Sequence, residues 1–478
     1  MTLTTQDILA LPHLQALGFE GKRGILCKGV STDSRSVQHD DLFIAIRGEK
    51  FDGHNFITKA VESGASVIVA DARWAAVNQV LLSSLNLPCL IVEDTIRLLG
   101  QVAAVHRKKF KIPVLVIGGS NGKTTTKEMI TAVLKTKYRV LSTEGNLNNH
   151  IGVPQTLLRL ERQHQIAVIE IGTNHFGEIA YLASVVEPTH ALITNVGREH
   201  LEFFGSVEGV ARAEAEVFDW MQAQKRAKGV GFINHDDPHL LKLAKKVKKS
   251  VSYGLGKGSL AIKGKVFGFN ELAFARLDVK PRGKKVFRIN LSVPGEHNAV
   301  NALAASAVGL TLGVPAKKIQ AALSSFTSAS KRMQLVQING LTVLNDTYNS
   351  NPDSALAALG VLGRVKSAGK KVAVLADMLE LGDNAVREHQ RIGAAVGASG
   401  ATHLLGFGPL TQNNVNAATT EFKKHYEQKA ALSEQLAQLL APGDVVLVKG
   451  SRGMKMEEVV AFITERFKQP QDRPGQAA

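Results

Sequence analysis

The chain has 478 residues, 44% hydrophobic and 21% charged, with two cysteines and a formal net charge of +16. At roughly 100–200 residues per domain, that length calls for two to four domains with real cores, which excludes a disordered or low-complexity chain. Cys27 and Cys89 stand too far apart for a zinc site of ordinary spacing or a disulfide scaffold, and the positive balance favours anionic partners: nucleotides, nucleic acid or acidic lipid surfaces.

Met1–Asp7 holds no basic region and no apolar run, so no signal peptide is expected. No run of 18 apolar residues occurs, so no membrane insertion is expected, and the sparse, widely spaced cysteines make a reducing cytoplasm the expected location. Residues 42–46 and 66–69 read as strands, with turns at Asp52-Gly53 and Ser63-Gly64. Residues 95–110 read as a helix with apolar Ile96, Leu99, Val102, Ala103 and Val105, closed by Lys108, Lys109 and Lys111 where cations are favoured. Apolar runs at 112–117, 166–171, 191–196 and 230–234 alternate with helical patterns, the signature of a mostly parallel sheet with helices on both faces. Lys242, Lys245, Lys246, Lys248 and Lys249 read as a solvated helix face, and no aromatic residues interleave them to stack on nucleic acid. Residues 251–293 alternate and turn at Arg282-Gly283, reading as a small antiparallel addition, and an alanine-rich helix at 299–312 closes the region. After Phe326 the strand–helix rhythm restarts, with strands at 341–344, 371–376, 402–405 and 445–448, as in a smaller doubly wound unit. The polar tail 469–478, with two prolines, reads as disordered.

The strongest chemical signal follows the strand at 114–117. Gly118-Gly119-Ser120-Asn121-Gly122-Lys123-Thr124-Thr125-Thr126 leads into a helix, the context a phosphate cradle requires. Glycines let backbone N–H groups turn onto the anion, and the helix start adds its positive end. Lys123 then reaches the β- and γ-phosphates, and the Thr124 hydroxyl holds Mg²⁺. The long form of the motif would place its first glycine at Ile117; the short form G-x-x-G-K-T, from Gly119, fits. The bland alternative, a glycine-rich turn with an incidental lysine, does not account for Gly122-Lys123-Thr124 at a strand–helix junction. A nucleoside triphosphate is implied; a reaction is not.

The loop resembles that of the Mur ligases, which build the peptide stem of bacterial peptidoglycan, and the resemblance runs over nearly the whole chain. Ser31-Thr32-Asp33-Ser34-Arg35, the stretches 41–48 and 51–54, 146–154, 170–174, 195–201 and 295–301 are similar to family segments. Within the family, 346–354, 377–382 and 449–455 resemble the branch that adds D-alanyl-D-alanine to UDP-N-acetylmuramoyl-tripeptide, and the D-N-P-R motif of the diaminopimelate-adding branch is not found. The resemblance implies an α/β fold of three domains. These are a small UDP-substrate-binding α/β domain at 1–94, a central P-loop-type ATP domain at 95–326, and a Rossmann-like domain at 327–478. The last would close on ATP and bind the incoming dipeptide. It also implies ATP and Mg²⁺ as cofactors, transfer of the γ-phosphoryl to the tripeptide carboxylate, and attack of the dipeptide amine on the acyl-phosphate. No nucleic-acid partner is implied, and a monomer is expected.

Catalysis of such a step is mainly positioning and charge neutralisation. The resemblance assigns Lys123 to the γ-phosphate, Gly119, Ser120, Asn121, Gly122, Thr124 and Thr125 to the phosphates, and Glu170 and His200 to a second Mg²⁺. Asn298 and Asn301, three apart on one helix face, would meet the nucleotide, although Asn298 also suits an N-cap. Arg332 suits a bidentate phosphate contact. Asp346, at a strand end, would meet ATP, or form an Asx-turn. Substrate residues implied are Ser31, Asp33, Ser34, Arg35, Asn148, Asn149, Thr173, Asn349, Lys449, Ser451 and Arg452, whose bland alternative is ordinary loop structure.

One position departs from the family pattern. In Gly209-Val210-Ala211-Arg212-Ala213-Glu214-Ala215-Glu216 the family usually carries a lysine, carbamylated in many members, where Glu214 stands. Glu214 has the charge and oxygens for Mg²⁺ but is shorter; the alternatives are a bridging water or a surface glutamate. Two competing functions remain at this level: a related ligase with another amine, and a nucleic-acid-stimulated ATPase supported by the charge alone.

Overall fold

In the computed structural model, which describes residues 3–20, 24, 26–224, 229–328 and 330–468, the chain lays down its larger sheets in sequence. The first contains β1 (Leu14–Leu17), β2 (Gly29–Ser31), β3 (Asp41–Ile44), β4 (Ala65–Asp71) and β5 (Cys89–Val92) in the order β1-β5-β4-β3-β2, parallel except for β1. β3 and β4 are apolar on both faces because both are covered: short helices bury Phe43 and Ile68, and helix α1 (Thr95–Lys108) buries Leu42 and Val67. Asp94 caps α1 by accepting from Ile96 N and Arg97 N. Leu98, Leu99 and Val102 of α1 join this core, while Ala103 joins the next.

The central sheet has nine strands. They are β6 (Val114–Gly118), β7 (Val140–Ser142), β8 (Ile166–Glu170), β9 (His190–Ile193), β10 (Val230–Asn234), β11 (Lys249–Gly254), β12 (Ile262–Phe269), β13 (Phe274–Pro281) and β14 (Phe287–Pro294). Their order is β14-β13-β12-β11-β10-β9-β6-β8-β7. One face packs on α2 (Lys123–Lys135), α7 (Glu296–Thr311) and α8 (Ala316–Ser324). The other packs on α3 (Gly152–Leu158), α4 (Glu178–Val186), α5 (Val207–Ala223) and α6 (Pro238–Leu243). Chain order reverses between β6 and β9, so their carboxyl ends open the crevice where α/β sheets take ligands.

The last sheet runs β15-β16-β20-β17-β18-β19, from β15 (Gln334–Ile338), β16 (Leu341–Asp346), β17 (Lys371–Ala376), β18 (His403–Phe407), β19 (Phe422–Tyr426) and β20 (Val445–Lys449), with only the β15–β16 pair antiparallel. Its helices include α9 (Pro352–Arg364), α10 (Ala385–Ala398), α11 (Lys429–Leu439) and α12 (Glu457–Lys468).

Two expectations are corrected. The antiparallel addition expected at 251–293 holds only for β12–β14, which extend the nine-stranded sheet; β11 is parallel to both β10 and β12. Alternation reports one exposed face, not strand direction. The lysine run is not one helix face either. Capped by Asp237 and started by Pro238, α6 lasts six residues, so Lys242 lies on it, Lys245 and Lys246 on a single 3₁₀ turn, and Lys249 opens β11. The expected tail at 469–478 lies outside the described residues. Both cysteines are buried, and among the described residues no helix is long and apolar enough to cross a membrane.

Candidate functional site

A cavity of about 1390 Å³ opens at the carboxyl ends of β6, β8 and β9, and its walls come from both the central and the C-terminal lobes. The buried strand VLVIG of β6 delivers the chain into the phosphate loop. Gly119 adopts φ +111°, and a Cβ there would come within 2.3 Å of Thr194 Oγ1; Gly122, at φ +78°, lies 3.0 Å by the same measure from Asn301 Oδ1. Glycine is therefore required at both. Gly122 caps α2, and two further helices begin at the cavity, α7 after Gly295 and α9 after Asn351.

Lys123 curls back over the loop, donating to Gly119 O, and its Nζ stands 3.4 Å from Glu199 Oε2. Burial disfavours its ammonium, but Glu199, Glu214 and Glu170 outweigh that and hold its pKa above the ordinary lysine value. Thr124 Oγ1 donates to Glu170 Oε1 (3.1 Å), and Asn148 Nδ2 donates to the same oxygen (3.0 Å). Glu170 Oε2 is buried without a hydrogen-bond partner among the described residues. An unsatisfied buried carboxylate oxygen beside a threonine hydroxyl suits a hard cation.

Glu214 is 1% exposed, which excludes the surface reading. It projects from α5 against the base of the loop: its Oε2 would meet a Cβ on Gly118 at 2.6 Å and has no full hydrogen bond among the described residues, although the Gly119 N–H faces the carboxyl. Burial pushes its carboxyl up to about 8 despite the pull of Lys123. The ligand set expected from Glu170, His200 and Glu214 is not assembled: among the described residues no three His, Cys, Asp or Glu side chains converge on a metal position. His200 sits in the left-handed region (φ +48°), and its Nδ1 meets Glu380 Oε2 of the C-terminal lobe at 2.5 Å.

Asn301 Nδ2 donates to Asn298 Oδ1, and Asn298 Nδ2 to Pro294 O, so Asn298 lies in the first turn of α7, not at its cap. Ser120, Asn121 and Thr125 line the cavity with them. Arg332 also lines it, its guanidinium 3.7 Å above the Tyr348 ring. Asp346 is held: Oδ1 accepts from Met333 N, and Oδ2 from Lys449 Nζ at 2.7 Å. Lys449, 2% exposed, also donates to Asn349 O; Ser451 Oγ donates to Ser350 O and accepts from Leu379 N, and Arg452 pairs with Glu457. Asn149 Oδ1 accepts from Ile151 N and Gly152 N, and Thr173 Oγ1 lies 2.7 Å from His175 O.

Ser31, Asp33, Ser34 and Arg35 line no part of this cavity. Ser31 and Ser34 are buried, and Asp33 is pulled down to about 2 by its hydrogen bonds with Arg35. Neighbouring Thr32 accepts from Gln155 of α3, tying this loop to the central lobe.

Several residues were not singled out from sequence. Glu199 faces Lys123, Glu380 holds His200, and half-buried His297 lines the cavity. Arg198 donates through N and NH1 to Asp353 at the start of α9, and Asn351 Nδ2 donates to Asn121 Oδ1 of the phosphate loop. All lie inside or beside stretches whose neighbours were selected; the paired ones stand 76 to 230 residues apart along the chain, so only the fold could pair them.

Residues 117–309 match the profile of the Mur ligase middle domain, 331–452 that of the Mur ligase, glutamate ligase domain, and 27–107 that of the Mur ligase family, catalytic domain. The chain is 35% identical over 448 residues to UDP-N-acetylmuramoyl-tripeptide–D-alanyl-D-alanine ligase of Bacillus subtilis, covering 91% of this chain and 93% of that one. It is 34% identical to the Escherichia coli enzyme of that name, covering 92% and 94%. In structure it is similar to MurF from Acinetobacter baumannii (TM-score 0.86, 32% identity, 97% and 99% covered). It is likewise similar to MurF ligase from Thermotoga maritima in complex with ADP (TM-score 0.80, 26% identity, 92% and 98% covered).

Proposed function

The chain belongs to the Mur ligase family, and from that we infer that it joins D-alanyl-D-alanine to UDP-N-acetylmuramoyl-tripeptide at the expense of ATP. The products are UDP-muramoyl-pentapeptide, ADP and phosphate. The observation that carries this reading is one cavity in which Lys123, the Thr124–Glu170 pair and Arg332 from the other lobe all meet. It is supported by relatives of that name along more than nine-tenths of the chain.

The tripeptide carboxylate takes the γ-phosphoryl of ATP, and the dipeptide amine then attacks the acyl carbon and expels phosphate. Ser120 N and Asn121 N are engaged by Asn195, so the backbone N–H groups from Gly122 into the first turn of α2 hold the phosphates, and Lys123 neutralises the charge that develops on them. Asn298 and Asn301 position the nucleotide from α7. Thr124 and Glu170 would hold Mg²⁺, which neutralises phosphate oxygens when bound. Glu214, whose carboxyl burial holds in its protonated form up to about pH 8, would offer its oxygens beside that position once a bound cation displaces the proton, and His200, locked to Glu380, fixes the 195–200 loop. Arg332 reaches the nucleotide from the C-terminal lobe, and Asp346, through Lys449, shapes the loop carrying Asn349.

We assign Asn148, Asn149 and Thr173 to the muramoyl-peptide, and Asn349, Lys449, Ser451 and Arg452 to the incoming dipeptide. Ser31, Asp33, Ser34 and Arg35 meet the uridine diphosphate end beyond the cavity. Residues 1–94, 95–326 and 327–478 act as the UDP-substrate, ATP and closing units of a cytoplasmic monomer. The deciding experiment is mass spectrometry of the product from UDP-muramoyl-tripeptide, D-alanyl-D-alanine and Mg-ATP. A pentapeptide with stoichiometric ADP is expected; phosphate release with L-lysine, glutamate or diaminopimelate but not with the dipeptide would overturn the assignment.

A further inference from the structure

Residues 241–290 carry 14 basic side chains and two acids, Glu271 and Asp278, so they supply +12 of the chain's +16. None of them lines the catalytic cavity. The segment runs from the end of α6 to the antiparallel strands β12–β14. One face of those strands packs on α7 and α8 through Ile262, Leu277, Val279 and Ile289. The opposite face, covered on neighbouring strands by α4, α5 and α6, is bare here: Lys265, Arg276, Lys280 and Arg288 stand exposed.

Lys263 sits directly across from Lys280 in the β12–β13 ladder, a like-charge pair that weakens strand pairing. The two acids of the segment are already engaged, Asp278 by Arg288 and Glu271 by Lys366. Phe267, displaced by the bulge between Val266 and Gly268, is 40% exposed with Arg288 at 4.0 Å over its ring, and Val286, two residues before Arg288, is 50% exposed. Asp278, opposite Lys265 and paired with Arg288, is the one acid in the ladder among these cations, so the face keeps an excess of positive charge and two outward apolar side chains that the packing beneath it does not use.

We propose that this bare face is a peripheral docking surface for an anionic phospholipid bilayer. Lysine and arginine clusters are drawn to an anionic leaflet, and Phe267 and Val286 gain by leaving water at the acyl boundary. Nucleic acid is the poorer occupant, because a single exposed ring, already covered by an arginine, offers no stacking platform.

The test is flotation of the full chain with vesicles of phosphatidylcholine alone and of phosphatidylcholine with phosphatidylglycerol. Binding to the anionic vesicles only, reversed by high salt, is expected. Combined Lys263→Glu, Lys265→Glu and Lys280→Glu lowers partition on the order of 100-fold, with ligase activity on soluble substrates unchanged, and Phe267→Ser lowers it several-fold. Should the triple variant fail to fold, the salt series and Phe267→Ser on the otherwise unaltered chain decide. Equal binding to neutral vesicles, no binding at low salt, no effect of the folded triple variant, or displacement of vesicles by an oligonucleotide would each overturn the proposal.

Discussion

At the scale of single residues, the site concentrates charge in a way that sets its pH behaviour. Glu214 is buried with its carboxyl raised to about 8, against an unfolded value near 4.5. A raised acid favours the folded chain below the unfolded value and loses that support as pH climbs through the folded one. In metal- and nucleotide-free protein, Glu214→Gln should therefore melt several degrees above the parent at pH 8.5 and level with it at pH 4.5, read by calorimetry. A Tm difference independent of pH would sink this. Lys123, whose ammonium meets the loop's own carbonyl and Glu199, should be indispensable: Lys123→Ala is expected to lower kcat by about 10³-fold or more, and an undiminished rate of ADP and peptide formation would contradict the proposed chemistry. Lys123 and Thr124 were legible because strand, loop and helix are contiguous in sequence, and Glu170 only through the family segment that follows the apolar run at 166–169. Glu199 and Glu380 were not, since each acquires its role from a partner that only folding supplies.

At the scale of elements, the β6–α2 junction carries the strictest geometric demand. Gly119→Ala adds a methyl 2.3 Å from Thr194 Oγ1 at a backbone angle alanine resists, so a cost of about 2–3 kcal/mol is expected in urea unfolding. The fully buried strands β6, β8 and β10 could be read directly from the chain, because a parallel sheet covered on both faces leaves a nearly continuous apolar run. The edge strands β15 and β19 were missed: β15 reads QLVQI and β19 FKKHY, half-polar runs that burial does not mark. The strand direction of β11 and β12 was misjudged for a related reason, since side-chain alternation is the same in parallel and antiparallel ladders.

At the scale of the whole molecule, the C-terminal lobe is docked on the phosphate loop by Asn351 on Asn121, Asp353 on Arg198 and Glu380 on His200. Closure over the nucleotide predicts that Asp353→Ala with Glu380→Ala enlarges the radius of gyration in X-ray scattering, and that an ATP analogue with UDP-substrate restores it. Curves indifferent to both changes would remove closure from the account. The convergence of three helix starts, α2, α7 and α9, on one cavity has a kinetic corollary. Their amino ends draw small tetrahedral oxyanions whether or not adenosine is attached. Orthophosphate, shed at each turnover, should thus linger as a product inhibitor competitive with ATP, and sulfate buffers should mimic it.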